Sequence, residues 1–228
     1  MAGRIVYTWD PKTQAMLSRI SDVPFDDLDE RTRHVLDKFR YNCPPASHLP
    51  VVTQVDGQAQ VVVARWGFPM PKRWNGVFNT RVENVDSPLW RSMWGASHGV
   101  FVVRGFYEWQ GPKKVPQFLH RADGEPMALA ALVGERQVQG EAKTCFSILT
   151  CPPNQVVAPV HDRMPIILEP DAARAWLAAD ADRAAELAVP CPDDVLTLHQ
   201  VGPDVGSAKN DRPDLMEPIE RQGLGAFA

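Results

Sequence analysis

LPVVTQVDGQAQVVVARWGF, residues 49–68, holds two runs rich in β-branched residues, 49–55 and 60–68, on either side of Asp56-Gly57. An Asp-Gly pair tolerates the positive φ angles of a tight two-strand turn, so the stretch predicts an antiparallel hairpin. Outward from it, short strand patterns recur at 100–109, 116–120, 127–133, 145–150, 165–168 and 195–201. Helical patterns lie at 13–21, 29–39, 87–94 and 171–188, the last rich in alanine and with a break expected around Asp180. Strands and helices do not alternate regularly, which disfavours a doubly wound parallel sheet. The expected fold is α+β: a single domain with a curled, mainly antiparallel β-sheet, barrel-like at its core, and flanking helices. The domain should span 1–220, with 221–228 a C-terminal tail that has little to anchor it.

Composition narrows the function. The chain has 228 residues, 44% hydrophobic and 23% charged, enough to bury one large core and unlike disordered, collagenous or coiled-coil chains. Its 21 prolines point to much ordered loop, where sites often sit. A net charge of −4 and a pI near 5.9 argue against coating nucleic acid through the overall field, while leaving room for a local basic groove. The four cysteines form no CxxC pair and have no histidine at finger spacing, so they are expected to be reduced, with no structural metal and no cofactor. The first residues, MAGRIVYTWD, lack the apolar run of a signal peptide, and the longest apolar stretch, 127–133, is too short to cross a bilayer. A cytoplasmic protein without a membrane partner is expected.

No Walker loop, GxGxxG, HExxH or GxSxG pattern occurs. Four clusters remain. RYNCPP at 40–45 reads as a rigid loop. RWGF at 65–68, Trp74 and FNTRVE at 78–83 mix aromatic rings with arginine and asparagine, which suits stacked bases and forked phosphate contacts but equally suits a core with a surface Arg81–Glu83 pair. GFYEW at 105–109 sets Phe106 and Glu108 on one strand face and Tyr107 and Trp109 on the other; burial of that carboxylate would raise its pKa and let it exchange protons, whereas an edge strand would leave it in water. VHDRMP at 160–165 places an imidazole beside an acid, suited to proton transfer or simply to satisfying loop carbonyls.

Taken in order with Gly3-Arg4, FNTRVEN at 78–84 and VGSAKN at 205–210, these stretches resemble the SRAP family, SOS response-associated peptidase proteins that recognise abasic sites in single-stranded DNA. The resemblance spans nearly the whole chain. It implies catalytic roles at position 2 and at Asn79, Glu108 and His161: Asn79 orienting the first residue or the sugar, Glu108 shuttling protons, and His161 helping to open the sugar ring. It also implies DNA contacts from Arg4, Asn42, Pro45, Trp66, Trp74, Arg81, Trp109 and Arg163, with abasic single-stranded DNA as the partner of a monomer.

One departure decides the chemistry. Similar family members cleave off the initiator methionine and capture the sugar aldehyde with the amine and thiol of a second-position cysteine, whereas this chain has Ala2. An α-amine, with a pKa of about 7.7–8.0, remains nucleophilic enough to form a Schiff base, but without a thiol the imine cannot close to a thiazolidine. Durable cross-linking is therefore expected to be absent, and a retained Met1 would block even the imine. Arg104 stands where the family pattern usually has an acid. Two other functions remain open: a thiol hydrolase pairing Cys43 or Cys151 with His161, and a noncatalytic single-stranded DNA-binding module.

Overall fold

In the computed structural model, Val55 pairs with Gln58 across Asp56-Gly57, whose φ angles of 51° and 77° are the double positive of a type I′ hairpin turn. The structure describes residues 3–23, 28–38, 40–71, 73–138 and 140–219, with side chains at all of these except 31, 73–75 and 138. In chain order the described strands are β1 (Ile5–Tyr7), β2 (Arg40–Cys43), β3 (His48–Val55), β4 (Gln58–Trp66), β5 (Phe68–Met70), β6 (Arg73–Val77), β7 (Asn79–Arg81), β8 (His98–Val103), β9 (Gly105–Gln110), β10 (Val115–Arg121), β11 (Met127–Val138), β12 (Glu141–Cys151), β13 (Met164–Pro165), β14 (Ile167–Leu168) and β15 (Leu196–Gln200). The helices are α1 (Pro11–Ile20), α2 (Glu30–Leu36), α3 (Pro170–Leu177) and α4 (Ala181–Leu187).

The hairpin is two staves of a closed ring. β3 pairs with β4, β4 with β12, β12 with β11, β11 with β8, and β8 with β3 again, all antiparallel except β12–β4. Closure leaves these five strands without a free edge. Val52, Ala64, Val100 and Ala131, from four of the ring strands, are buried. A second sheet, ordered β15-β10-β9-β1-β2, packs beside it, and Phe106 joins the main core while Tyr107 joins a smaller one with Val6, Phe118, Val201, Val205 and Leu215. Strand alternation at 105–109 is thus as expected, with both faces covered. Asp10, Asp29 and Asp180 cap α1, α2 and α4 by accepting backbone N–H bonds, and Asp180 separates α3 from α4 where the break was expected. Among the described residues no helix is long and apolar enough to cross a membrane.

Four local expectations need correction. The run 100–109 is two strands, because the chain turns at Arg104, whose N–H bonds to Val6 O, and passes from ring to second sheet. The run 60–68 breaks at Gly67, at φ 110°, where β4 gives way to β5. Residues 87–94 form successive turns that carry Trp90 and Met93 into the core, not a helix. The expected loop at 40–45 begins as strand β2, paired with β1. The C-terminal tail at 221–228 and position 39 at the end of the expected second helix lie outside the described residues.

Ring closure leaves no room at Gly99 of β8, where a Cβ would stand 2.4 Å from Val133 Cγ2 and 2.9 Å from Val51 Cγ1 on the flanking strands. Gly99→Ala should destabilise the fold by about 1–3 kcal/mol in urea unfolding, and unchanged stability would show that the flanking strands yield.

Candidate functional site

The C-terminal half of β12 assembles the site. β7 runs parallel to it, with Asn79 opposite Ile148 and Arg81 opposite Thr150, and β13 adds the antiparallel pairs Thr150–Pro165 and Cys151–Met164. Side chains fix the first contact: the Trp66 indole donates to Phe78 O at 2.9 Å, the Thr80 and Ser147 hydroxyls meet at 2.8 Å, and the Thr150 hydroxyl donates to Thr80 O at 3.1 Å. Arg163 clasps the two segments together. Its guanidinium donates to both carboxylate oxygens of Glu83, at 2.6 and 2.7 Å, and to Thr150 O at 2.7 Å. The hydrogen bonds from Arg163 hold the Glu83 carboxyl below its ordinary range.

Glu108 reaches this cluster from β9. It lies on the Phe106 side of the strand, is 3% exposed, and has its carboxyl pKa raised, chiefly by burial, with the Asp162 charge adding to the shift and the positive charge at the start of the chain opposing it. Gln110 two residues on donates to Pro159 O at 3.2 Å, seating β9 against the segment that leads to His161. β1 runs antiparallel to β9 with Ile5 opposite Phe106, and Tyr107 N–H donates to Arg4 O at 3.0 Å, so the same register carried one step back puts Gly3 opposite Glu108. Ala2 itself lies outside the described residues.

His161 is half-buried, and burial is the first cause lowering its pKa. Its Nδ1 stands 3.0 Å from the Arg163 N–H and 2.9 Å from an Asp162 carboxylate oxygen. In the neutral ring Nδ1 accepts from Arg163, which leaves the proton on Nε2.

The expected DNA-contacting residues divide sharply. Arg81 is exposed, its guanidinium 4.0 Å from Asp162. Arg4 instead donates to Asn42 Oδ1 and to the carbonyls of Val205 and Gly206, while Asn42, 1% exposed, donates to Val205, Ser207 and Asn210 carbonyls. These two residues clamp the 205–210 segment onto β1 and β2. Trp66 is fully buried and stacks on Phe146, so it positions Asn79 and offers no face to a base. Arg163 is 7% exposed within its clasp. Trp109 packs beside the smaller core, and Pro45 sits in the turn that Ala46 N–H pins to Trp66 O. The side chain of Trp74 lies outside the described ones.

Burial contradicts the thiol hydrolase. Cys43 and Cys151 are both 0% exposed, and burial raises both thiols, Cys151 up to about 11. A nucleophilic cysteine needs the opposite environment. The sequence reading missed Thr150, whose carbonyl and hydroxyl join β7 to Arg163, and misassigned Glu83, which pairs with Arg163 instead of Arg81; nothing in their local pattern marks either role.

Glu108 yields a test of this electrostatic picture. A carboxyl whose pKa is raised by folding contributes its full stability below the ordinary carboxylate range and loses it as pH rises through the folded value. Glu108→Gln should therefore gain melting temperature relative to the parent between pH 5 and pH 8, and a gap that closes or reverses with rising pH would contradict the burial argument.

The chain is similar to known proteins over most of its length. The chain is 30% identical over 189 residues to the abasic site processing protein YedK of Escherichia coli, covering 79% of this chain and 85% of that one. It is 27% identical over 214 residues to the abasic site processing protein YoqW of Bacillus subtilis, covering 85% and 95%. A crystal structure of a protein from Bacteroides thetaiotaomicron shares the fold with a TM-score of 0.76 at 19% identity, over 96% of this chain and all of that one. The family model described as SOS response associated peptidase (SRAP) matches residues 1–208. The chain belongs to the SRAP family.

Proposed function

We propose that this protein processes abasic sites in single-stranded DNA, taking the opened sugar of the lesion between Glu108, Asn79 and His161. The observation that carries the proposal is the convergence on one end of β12 of a buried carboxyl with a raised pKa, a half-buried imidazole and an exposed arginine, with β1 leading the start of the chain toward Glu108. The names of the relatives agree with it. A sugar can reach a carboxyl as deeply set as Glu108 when its backbone is free of duplex pairing, which favours a single strand. The protein acts as a monomer in the cytoplasm.

The chemistry follows from the positions. His161 Nε2–H donates to the ring oxygen of the sugar as the aldehyde opens. Asn79 orients the carbonyl, and a deprotonated α-amine at Ala2, once Met1 is removed, attacks its carbon. The resulting carbinolamine loses water to give an imine, with Glu108, its pKa raised by burial, supplying the proton that lets hydroxide leave as water. The same carboxyl serves the removal of Met1. With a methyl at position 2 in place of a thiol, the imine has no internal nucleophile to close a ring and returns to aldehyde with water.

Arg81 provides the phosphate contact that the fold leaves exposed. Gel-shift titration should show tighter binding of single-stranded DNA carrying an abasic site than of intact duplex. Arg81→Ala should weaken binding and reduce the salt slope by about one. Equal affinity for both DNAs would overturn the proposal. Binding with no change in any turnover for Glu108→Gln would favour a noncatalytic module.

A further inference from the structure

Asp162 stands at the junction of the three charged functions of the site. One carboxylate oxygen lies 2.9 Å from His161 Nδ1, the other lies 4.0 Å from Arg81 Nη2, and its side chain is 74% exposed. The two contacts at Nδ1 belong to different protonation states. Neutral His161 accepts there from the Arg163 N–H, whereas a proton on Nδ1 turns the Asp162 contact into an ion pair. Asp162 thus favours the imidazolium, the form that holds a proton to donate, but it shares its charge with Arg81.

We propose that Asp162 is a positioning residue that couples phosphate binding at Arg81 to protonation of His161. In the unliganded protein the carboxylate occupies the place of a phosphate beside Arg81. A phosphate of the DNA strand draws the guanidinium away, since a phosphate accepts a forked arginine contact at closer range than 4.0 Å. Asp162 then commits to His161, and the proton comes from solvent onto Nδ1 while Nε2–H stays directed at the sugar. The general acid is charged only when a strand is in place. Asp162 was part of a motif with no assigned task of its own, and its role here rests on the abasic-site function proposed above.

The other charges around His161 are accounted for. Lys114, in the turn between β9 and β10, and the positive charge at the start of the chain disfavour the imidazolium, as does burial, and Asp162 is the acidic group that opposes them. The Arg163 guanidinium is engaged by Glu83. The Asp162 charge also reaches Glu108, where it favours the protonated carboxyl.

The test uses the full-length protein and an undamaged single-stranded oligonucleotide, so that no covalent chemistry intervenes. The His161 ring is titrated by NMR with and without the oligonucleotide, and binding is followed in parallel by fluorescence anisotropy. In the parent, strand binding should raise the His161 titration midpoint, and Arg81→Ala should abolish most of the rise. Asp162→Asn should lose most of it while binding the oligonucleotide about two- to fivefold more tightly, because a competitor for Arg81 has gone. It should also slow the formation of the borohydride-trapped imine on abasic DNA more at pH 8 than at pH 6, which a purely structural role would not do. An equal rise in Asp162→Asn and parent would overturn the coupling while leaving the abasic-site function intact. Absence of strand binding by the parent would overturn both.

Discussion

Parallel pairing of β7 with β12 is the constraint on which the site depends. A ring of five strands needs β12 bonded on both edges, to β11 and to β4, yet the β4 contact covers only Cys145 and Phe146 before that strand ends at Trp66. The vacated edge of β12 from Ile148 onward is taken by Asn79, Thr80 and Arg81, and β13 pairs at Thr150 and Cys151. Unpaired backbone groups inside a core cost several kcal/mol, so the edge must be filled, and the segment that fills it carries Asn79 and Arg81, while β13, on the opposite edge, follows His161 in the chain. The candidate site sits where β4 ends and β7 takes over the edge of β12.

Around that edge the protein uses its most costly interactions. Arg163 is nearly buried, and its charge is matched by a forked contact to Glu83 and a bond to Thr150 O. Glu108 is buried at the cost of a raised pKa, the kind of perturbation that favours proton exchange. Arg4 and Asn42 close the opposite flank by holding the 205–210 segment. Of the arginines first considered for phosphate binding, the one left exposed by these demands is Arg81.

The legible part of the molecule was its local chemistry. Asp56-Gly57 announced its turn because few residue pairs accept two positive φ angles, and the alternation at 105–109 placed Glu108 and Tyr107 on opposite faces because strand geometry allows nothing else. The ordered motifs pointed to the family. What the sequence hid is set by distant partners: the short strands β5, β6 and β7 have too few residues to show a period, the chain turns at Arg104 because Val6 accepts its N–H, and Arg4 resembles a phosphate ligand until Val205 and Gly206 are seen to accept from it. Trp66 misled in the same way, since an indole suited to stacking on a base is here stacked on Phe146.

On the proposed chemistry, Ala2 would separate the acid–base site from the trapping step, and that separation is the most direct place to test the account. If the site is intact and lacks a thiol alone, Ala2→Cys should convert the protein into one that forms a heat-stable adduct with an abasic single-stranded oligonucleotide, seen by intact-mass measurement, while the parent shows an adduct only after borohydride reduction. An Ala2→Cys protein that has lost Met1 and binds the oligonucleotide, yet gains no stable mass, would contradict it.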